Sequence, residues 1–272
     1  MRNGLLTCLL VLGFVLVACG DGGDSSATTT GATTSSTTTT SSSGGFGGSG
    51  GTGAQASSSG SGGNGGGQTQ VPLEGFGDIA GSCGVLEAMD FNSSAPSIYS
   101  NNIDFKTLMF MANALSQGGK KIYDDGNLGG SSLLSEVFAY EVLYRCELAE
   151  LLKTENEISY KDTAGKKTDL IVRMDGLSVG VSVTRAVGFP KEDPYTVAQA
   201  KDLLTGKLEG VTASTANVAA ADTWTKQVLF IVAYAEQHAT ALKEAFNQID
   251  AAIKGDTIVW VTVTDGDDAF LY

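Results

Sequence analysis

The chain contains few of the side chains that most enzymes use for acid–base chemistry or metal binding near neutral pH. Its 272 residues include one histidine, His238, and four cysteines. A Ser-His-Asp triad needs a histidine held by a second polar group, and structural zinc sites combine several His and Cys ligands. The sequence therefore nearly excludes a Ser-His-Asp triad and a multi-histidine metal site. We expect His238, on a predicted amphipathic helix, to be exposed, which leaves carboxylates and hydroxyls for chemistry.

The excess of acidic residues indicates which classes of binding partner suit this protein. The chain carries 17 Lys and Arg against 30 Asp and Glu, a net charge of −13, and 16 of the basic and 28 of the acidic residues lie between 74 and 272. Proteins that bind phosphate backbones present basic surfaces. The composition therefore argues against nucleic acid and favours a cationic or neutral partner, or divalent ions.

The N-terminus predicts export and a lipid anchor. Arg2 precedes an apolar run over residues 5–18, which is shorter than the roughly 20 residues needed to span a bilayer. The motif Leu16-Val17-Ala18-Cys19 resembles a bacterial lipobox, which implies cleavage after residues 1–18 and a diacylglycerol on Cys19 that holds the protein at a membrane. The alternative is an ordinary signal peptide in which Cys19 has no role. Gly20 is not the Asp that retains enteric lipoproteins in the inner membrane, so we expect an outer-membrane lipoprotein of the bacterial cell envelope.

Residues 19–70 predict a tether rather than a folded unit. They consist mostly of Gly, Ser and Thr and cannot bury enough apolar surface to offset the entropy of ordering the chain. Matches to a dinucleotide fingerprint (45–50) and to a nucleophile elbow (47–51) lack the flanking strand and helix that both require. We therefore place a single globular domain at residues 71–272.

Two cysteines remain once Cys8 is removed with the signal and Cys19 is lipidated. Such a pair in an exported protein most often forms a disulfide, here between Cys83 and Cys146. The bond would close a loop of about 64 residues and contribute roughly 3–4 kcal/mol in the chain-entropy model. The alternative is two separately buried thiols.

The pattern of apolar residues predicts an α/β domain. Asp104 is a plausible N-cap for a helix over 105–116, and residues 133–153 form a helix so widely apolar that it should be central. From residue 133 onward the order is α-β-β-β-α-β followed by an extra helix and strand, which predicts a mixed sheet flanked by helices. The predicted strands are 157–161, 169–174, 177–185, 228–234 and 257–264, and the later helices are 196–208 and 236–253; Asp175-Gly176 is a hairpin signal between the second and third strands.

The element order over residues 131–234 resembles the PD-(D/E)XK nuclease-like superfamily, which implies a restriction-endonuclease-like fold. That family places a Glu on the first helix, an Asp at the start of the second strand, and Glu-x-Lys on the third strand. The carboxylates hold Mg²⁺ and the lysine helps to activate water. The resemblance implies a metal-binding and catalytic role for Asp169 and for Glu136 or Glu141.

The third strand departs from the family pattern. In Gly180-Val181-Ser182-Val183-Thr184-Arg185, Ser182 stands where the family has its glutamate and Thr184 where it has its lysine. Because strand side chains alternate, both hydroxyls lie on one face, and that face offers no charge to a metal ion. The departure favours a degenerate, non-catalytic copy of the fold, and a different α/β fold with the same element order is also open.

Some family members carry the basic residue on the following helix, where Lys201 and Lys207 stand. The resemblance then implies a migrated site of Glu136, Asp169 and Lys207. Our first interpretation is a lipid-anchored, non-catalytic binding domain with an unknown envelope or extracellular partner and no cofactor. The alternative is a divalent-metal-dependent nuclease or phosphodiesterase, with Mg²⁺ as cofactor and Glu136 and Asp169 as ligands.

A second resemblance concerns location alone. The chain also resembles uncharacterised myxobacterial lipoproteins. The resemblance lies in the sequences of residues 135–141 and 256–264, together with the lipobox and the Ser/Thr/Gly tether. This resemblance implies a place in the cell envelope and no activity.

Overall fold

The structure, a computed structural model, describes residues 70–107, 109–191 and 193–272. The predicted signal peptide, the lipidated Cys19 and the tether up to residue 69 lie outside the described residues. The described part belongs to one unit, Gly63–Tyr272. Within those ranges, no helix combines the length and the apolar character needed to cross a membrane.

In the described residues, eight strands form one mixed sheet in the order β1-β2-β3-β8-β7-β6-β5-β4, which confirms the α/β prediction. The four central strands β3, β8, β7 and β6 are parallel, and each flank adds two antiparallel strands. The strands are β1 (Val71–Leu73), β2 (Gly77–Gly81), β3 (Ser97–Phe105), β4 (Glu150–Thr154), β5 (Leu170–Met174), β6 (Leu177–Ala186), β7 (Lys226–Ala233) and β8 (Ile258–Gly266). The α-helices are α1 (Ala88–Asn92), α2 (Gln117–Asp125), α3 (Leu133–Glu147), α4 (Val197–Asn217), α5 (Glu236–Gln248) and α6 (Ala251–Lys254).

The hairpin between β5 and β6 forms where the sequence predicts it. Asp175 and Gly176 have φ angles of 47° and 77°, the left-handed pair that a two-residue turn needs to match the strand twist. Leu170 consequently pairs with Val181. This register fixes which residue of β6 lies opposite the start of β5.

Helices cover both faces of the sheet. Helix α3 packs with Val181, Phe230 and Trp260 in one buried cluster, whereas α4 and α5 pack with Ile231 and Val261 on the opposite face. Most side chains of α3 are buried, as the apolar residues around its circumference predict. The sheet is therefore the middle layer of an α/β/α arrangement, with helices packed on both of its faces.

The segment after β2 is fastened to α3. Cys83 and Cys146 form a disulfide bond, the pairing that cysteine counting predicts. Beside it, the Glu147 carboxylate accepts hydrogen bonds from the backbone N–H groups of Gly84, Val85 and Leu86 at 2.9, 3.3 and 3.0 Å. One covalent bond and three charge-assisted hydrogen bonds thus hold this segment in place.

The predicted helix over residues 105–116 was wrong. Phe105 ends strand β3, and the helix of this region begins later, after Ser116, whose hydroxyl accepts the Gly119 N–H at 3.1 Å. Ile122 is buried against the core. Capping and packing therefore outweigh the low helix propensity of Gly118 and Gly119.

The predicted helix over residues 133–153 is shorter than expected. It ends at Glu147 because Leu148 adopts a left-handed conformation with φ 54°, and strand β4 begins at Glu150. The first strand of the core is consequently residues 150–154 rather than 157–161. Sheet pairing with β5 overrides the helical periodicity at this position.

His238 is buried, contrary to our expectation that it is exposed. Its ring is fully inaccessible and stacks on Tyr195, with the ring centroids 4.5 Å apart. Neither ring nitrogen has a hydrogen-bond partner among the described residues, and burial lowers the pKa of His238. The side chain is therefore held as a neutral ring within the fold.

Candidate functional site

Asp169 occupies a defined position directly before β5. Its backbone N–H donates to the carbonyl of Val181 at 3.1 Å, and its Oδ2 accepts the Val183 N–H at 2.6 Å. Both partners belong to β6, so the β5–β6 register determines where the carboxylate lies. The side chain is partly buried.

Glu136 reaches the same point from the first turn of α3. The residue is 2% exposed, and its Oε1 accepts hydrogen bonds at 2.9 Å from both Asn127 Nδ2 and Ser132 Oγ. A buried carboxylate needs such donors because desolvation otherwise disfavours its charge. Burial raises the pKa of Glu136, and these two hydrogen bonds oppose the rise.

Glu155 completes a group of three carboxylates that sequence reasoning did not assemble. It lies in the turn after β4, and its Oε2 accepts the Leu128 N–H at 2.8 Å. One carboxylate oxygen from each of Glu136, Glu155 and Asp169 lies within 4.8 Å of the other two. Sequence reasoning missed Glu155 because it placed the first strand at 157–161. The Thr154-x-x-Glu157 capping box was the available signal for a turn at this residue.

The electrostatics of Asp169 reflect this crowding. Burial, and after it the neighbouring Glu136 carboxylate, raises the pKa of Asp169 to about 8, against the lowering effects of the Val183 N–H and of Lys207. Three carboxylates this close repel one another when ionised, and a divalent cation would relieve that repulsion. An all-oxygen donor set of this kind suits Mg²⁺ or Mn²⁺. The residues present therefore fit such an ion.

A cleft of about 410 Å³ opens beside Asp169, between β6, α4 and the loop that precedes β5. Its polar and charged walls include three lysines, two aspartates and a serine: Lys166, Lys167, Lys207, Asp169, Asp202 and Ser182. The lysines gather here although the domain as a whole is acidic. The cleft therefore combines local positive charge with an adjacent carboxylate cluster.

Of the other residues that the sequence singles out, some line the cleft and some lie elsewhere in the domain. Lys207 lines the cleft, whereas Lys201 is exposed on α4 and is not one of the lining residues. Glu141 points elsewhere, since its carboxylate pairs with Arg145 at 3.3 Å and accepts the Ser116 N–H at 2.8 Å. Ser182 lines the cleft and shares a hydrogen bond of 2.9 Å with Thr168, while Thr184 is not a lining residue. Glu136 and Asp169 thus come together, and Glu141 takes a structural position.

Comparison with known proteins assigns neither a family nor an activity. No family model matches the chain, and no solved structure matches it significantly. A curated protein of Dictyostelium discoideum, described as "AAC-rich mRNA clone AAC4 protein", is 37% identical over 153 residues, which cover 54% of this chain and 22% of that protein. The matched region thus spans about a fifth of the length of that relative.

Proposed function

We propose that the domain is a divalent-metal-dependent phosphodiesterase whose metal ion is held by Glu136, Glu155 and Asp169. The observation that carries the proposal is the convergence of these three carboxylates within 4.8 Å. Bound there, Mg²⁺ or Mn²⁺ would supply a Lewis acid for the phosphoryl oxygen and a water of lowered pKa. The protein's part is to hold the carboxylates around one point and to bring the phosphate to it.

In this proposal, residues of other elements replace the two family side chains that the third strand lacks. Ser182 stands where the resemblance calls for a carboxylate, and Glu155 supplies a carboxylate from another element. Thr184 stands where it calls for a lysine, and Lys207 presents an ammonium group to the cleft from α4. In this proposal Lys207 orients the phosphate or the attacking water beside Asp169. These substitutions favour the phosphodiesterase over the non-catalytic interpretation.

The topology supports, as part of the same proposal, a restriction-endonuclease-like core. The elements α3-β4-β5-β6-α4-β7 follow the α-β-β-β-α-β order. Strand β5 is antiparallel to both of its neighbours, and β6 is parallel to β7. If the core is of this type, Glu136 on α3 corresponds to the carboxylate of the first helix, and Asp169, which directly precedes β5, to that of the second strand.

A non-catalytic binding domain is the second candidate. It is favoured by the two hydroxyls at Ser182 and Thr184 and by the acidic balance of residues 74–272. In that case the carboxylates would bind a divalent ion for stability or for contact with a partner, and no turnover would be found.

We expect Mn²⁺-dependent hydrolysis of the chromogenic diester bis(p-nitrophenyl) phosphate by the full chain, and a loss of at least about tenfold in kcat/KM for Lys207→Gln. The reason is that Lys207 faces the cleft. Lys201→Gln is the matched control, because it removes the same charge from the same helix outside the cleft. Equal losses in both variants, or no Mn²⁺-dependent hydrolysis by the wild type, would contradict the proposed activity.

We further propose that the protein is a lipoprotein of a bacterial cell envelope, anchored through Cys19 and displayed on the tether. The support is the lipobox at residues 16–19, after an apolar run that is too short to span a bilayer. We expect radiolabelled palmitate to be incorporated into the wild type and into Cys8→Ser, and to be absent from Cys19→Ser. A wild type that takes up no label would remove the anchor.

A further inference from the structure

One short loop reaches two of the three carboxylates. It joins α2 to α3 and comprises residues 126–132. The Asn127 Nδ2 atom donates to Glu136 Oε1 at 2.9 Å. The N–H of the next residue, Leu128, donates to Glu155 Oε2 at 2.8 Å. Since one of these carboxylates lies on α3 and the other follows β4, adjacent residues of a single loop hold two groups that come from different elements.

The loop is itself fixed where it leaves α2. The amide of Asn156 donates to the backbone carbonyls of Asp125 and Gly126 at 3.0 and 3.2 Å. The Thr154 hydroxyl donates to the Asp125 carboxylate at 2.9 Å. Gly126 has a φ of 69°, a left-handed conformation that glycine adopts without steric cost. The side chain of Asn127 therefore starts from a backbone that other contacts hold in place.

The side chain of Ser132 serves Glu136 instead of capping α3. Ser132 is the N-cap residue of this helix, yet its side chain makes no capping hydrogen bond. Its hydroxyl donates to Glu136 Oε1 and accepts from Asn127 Nδ2, each at 2.9 Å. Serine is favoured at an N-cap because its oxygen accepts a backbone N–H, so this arrangement forgoes helix stability. Both donors act on the carboxylate rather than on the helix.

We propose that Asn127 is a positioning residue of the proposed metal site. Carboxylates this close repel one another when they are ionised, so an unrestrained Glu136 side chain would turn away from the other two. The Asn127 amide holds it in place, while the Leu128 N–H holds Glu155, and the loop thereby sets the separation of these two carboxylates before an ion binds. Hydrogen-bond partners that orient ligands in this way raise metal affinity. The inference rests on the proposed function, because it names a residue that assembles the same site.

The test measures Mn²⁺ binding to the chelator-treated full chain by electron paramagnetic resonance. Asn127→Ala is expected to bind Mn²⁺ about 10–100-fold more weakly than the wild type. The spectrum of its bound Mn²⁺ at saturation should also differ from that of the wild type, because Glu136 no longer keeps one orientation. A loss of loop stability alone would not change that spectrum.

Asn217→Ala is the matched control. The Asn217 amide also fastens a loop, by donating to the carbonyls of Asp162 and Lys166 at 2.9 and 3.0 Å, and these partners lie outside the carboxylate cluster. We expect its Mn²⁺ affinity to stay within about twofold of the wild-type value, since only groups that orient the ligands tune the affinity. Its Mn²⁺ spectrum should match that of the wild type.

Thermal unfolding of the metal-free protein tests the contact itself. Asn127→Ala should lower the melting temperature more in the wild type than in a Glu136→Gln background, because a hydrogen bond to a carboxylate is stronger than one to a neutral amide. Equal decreases in the two backgrounds would contradict the role of Asn127.

The binding results separate the inference from the proposed function. Equal Mn²⁺ affinity of Asn127→Ala and the wild type, or equal losses in Asn127→Ala and Asn217→Ala, would overturn the inference and leave the metal site intact. A wild type that binds no Mn²⁺ would overturn both. Mn²⁺ binding that depends on Asn127, without hydrolysis of the diester, would support the inference and contradict the phosphodiesterase alone.

Discussion

Asp169→Asn is expected to lose most of the stabilisation that Mn²⁺ gives the wild-type domain at pH 8, and to be the more stable protein when Mn²⁺ is absent. The carboxylate lies with Glu136 and Glu155 around one point, so its removal takes away a ligand and a charge. Loss of a group that only orients a ligand costs about 10–100-fold in metal affinity, and we expect at least that loss here. The metal-free gain follows because a neutral amide carries no buried charge, while its oxygen still accepts the Val183 N–H.

The pH dependence of the metal-free wild type follows from the same residue. The pKa of Asp169 is raised in the folded protein from 3.8 to about 8, so the folded state holds the proton more tightly than the unfolded chain. Its contribution to stability is therefore complete below about pH 4 and is lost as the pH rises towards 8. Mn²⁺ competes with that proton, so the metal should stabilise the domain more at pH 8 than at pH 5.

Thermal unfolding of chelator-treated protein, with and without Mn²⁺ at the two pH values, measures these effects. At about 100 times its Kd, a ligand contributes about 2.7 kcal/mol, which corresponds to roughly 5–10 °C in a domain of this size. Asp202→Asn is the control, since Asp202 lines the same cleft outside the carboxylate cluster. Equal stabilisation of Asp169→Asn and the wild type by Mn²⁺ would contradict the metal site.

The double variant Cys83→Ser, Cys146→Ser is expected to lose roughly 3–4 kcal/mol of stability, because the bond joins residues 63 apart in the sequence and restricts the unfolded chain. The melting temperature should fall by about 10 °C. The fold itself should survive at room temperature, since Glu147 still holds the backbone of Gly84, Val85 and Leu86.

Thermal unfolding with and without a reductant measures this effect. Reductant should bring the wild type to the melting temperature of the double variant and leave the double variant unchanged. Removing the Glu147 carboxylate as well, by Glu147→Gln, should weaken the segment further. Reaction of both Cys83 and Cys146 with a thiol reagent in unreduced, denatured protein would show that the bond does not form.

Local sequence signals predicted the elements that local interactions specify. The Asp175-Gly176 turn sets the β5–β6 hairpin, and the apolar circumference of α3 places that helix centrally. The same signals failed at residues 105–116 and at the end of α3. In the first region, the cap at Ser116 and the burial of Ile122 determine where the helix begins. At the end of α3, strand pairing between β4 and β5 determines where the helix stops.

The residue pattern alone predicts the α/β class, the element order from residue 133, and the places of Glu136 on a helix and of Asp169 beside a strand. It also restricts the chemistry, because the chain has one histidine. The fold is needed to bring Glu155 to Glu136 and Asp169 and to gather Lys166, Lys167 and Lys207 in one cleft. These contacts join residues far apart in the sequence. The antiparallel pairing of β4 and β5 and the packing of α4 on the sheet bring them together, and neither leaves a periodic signal in the chain.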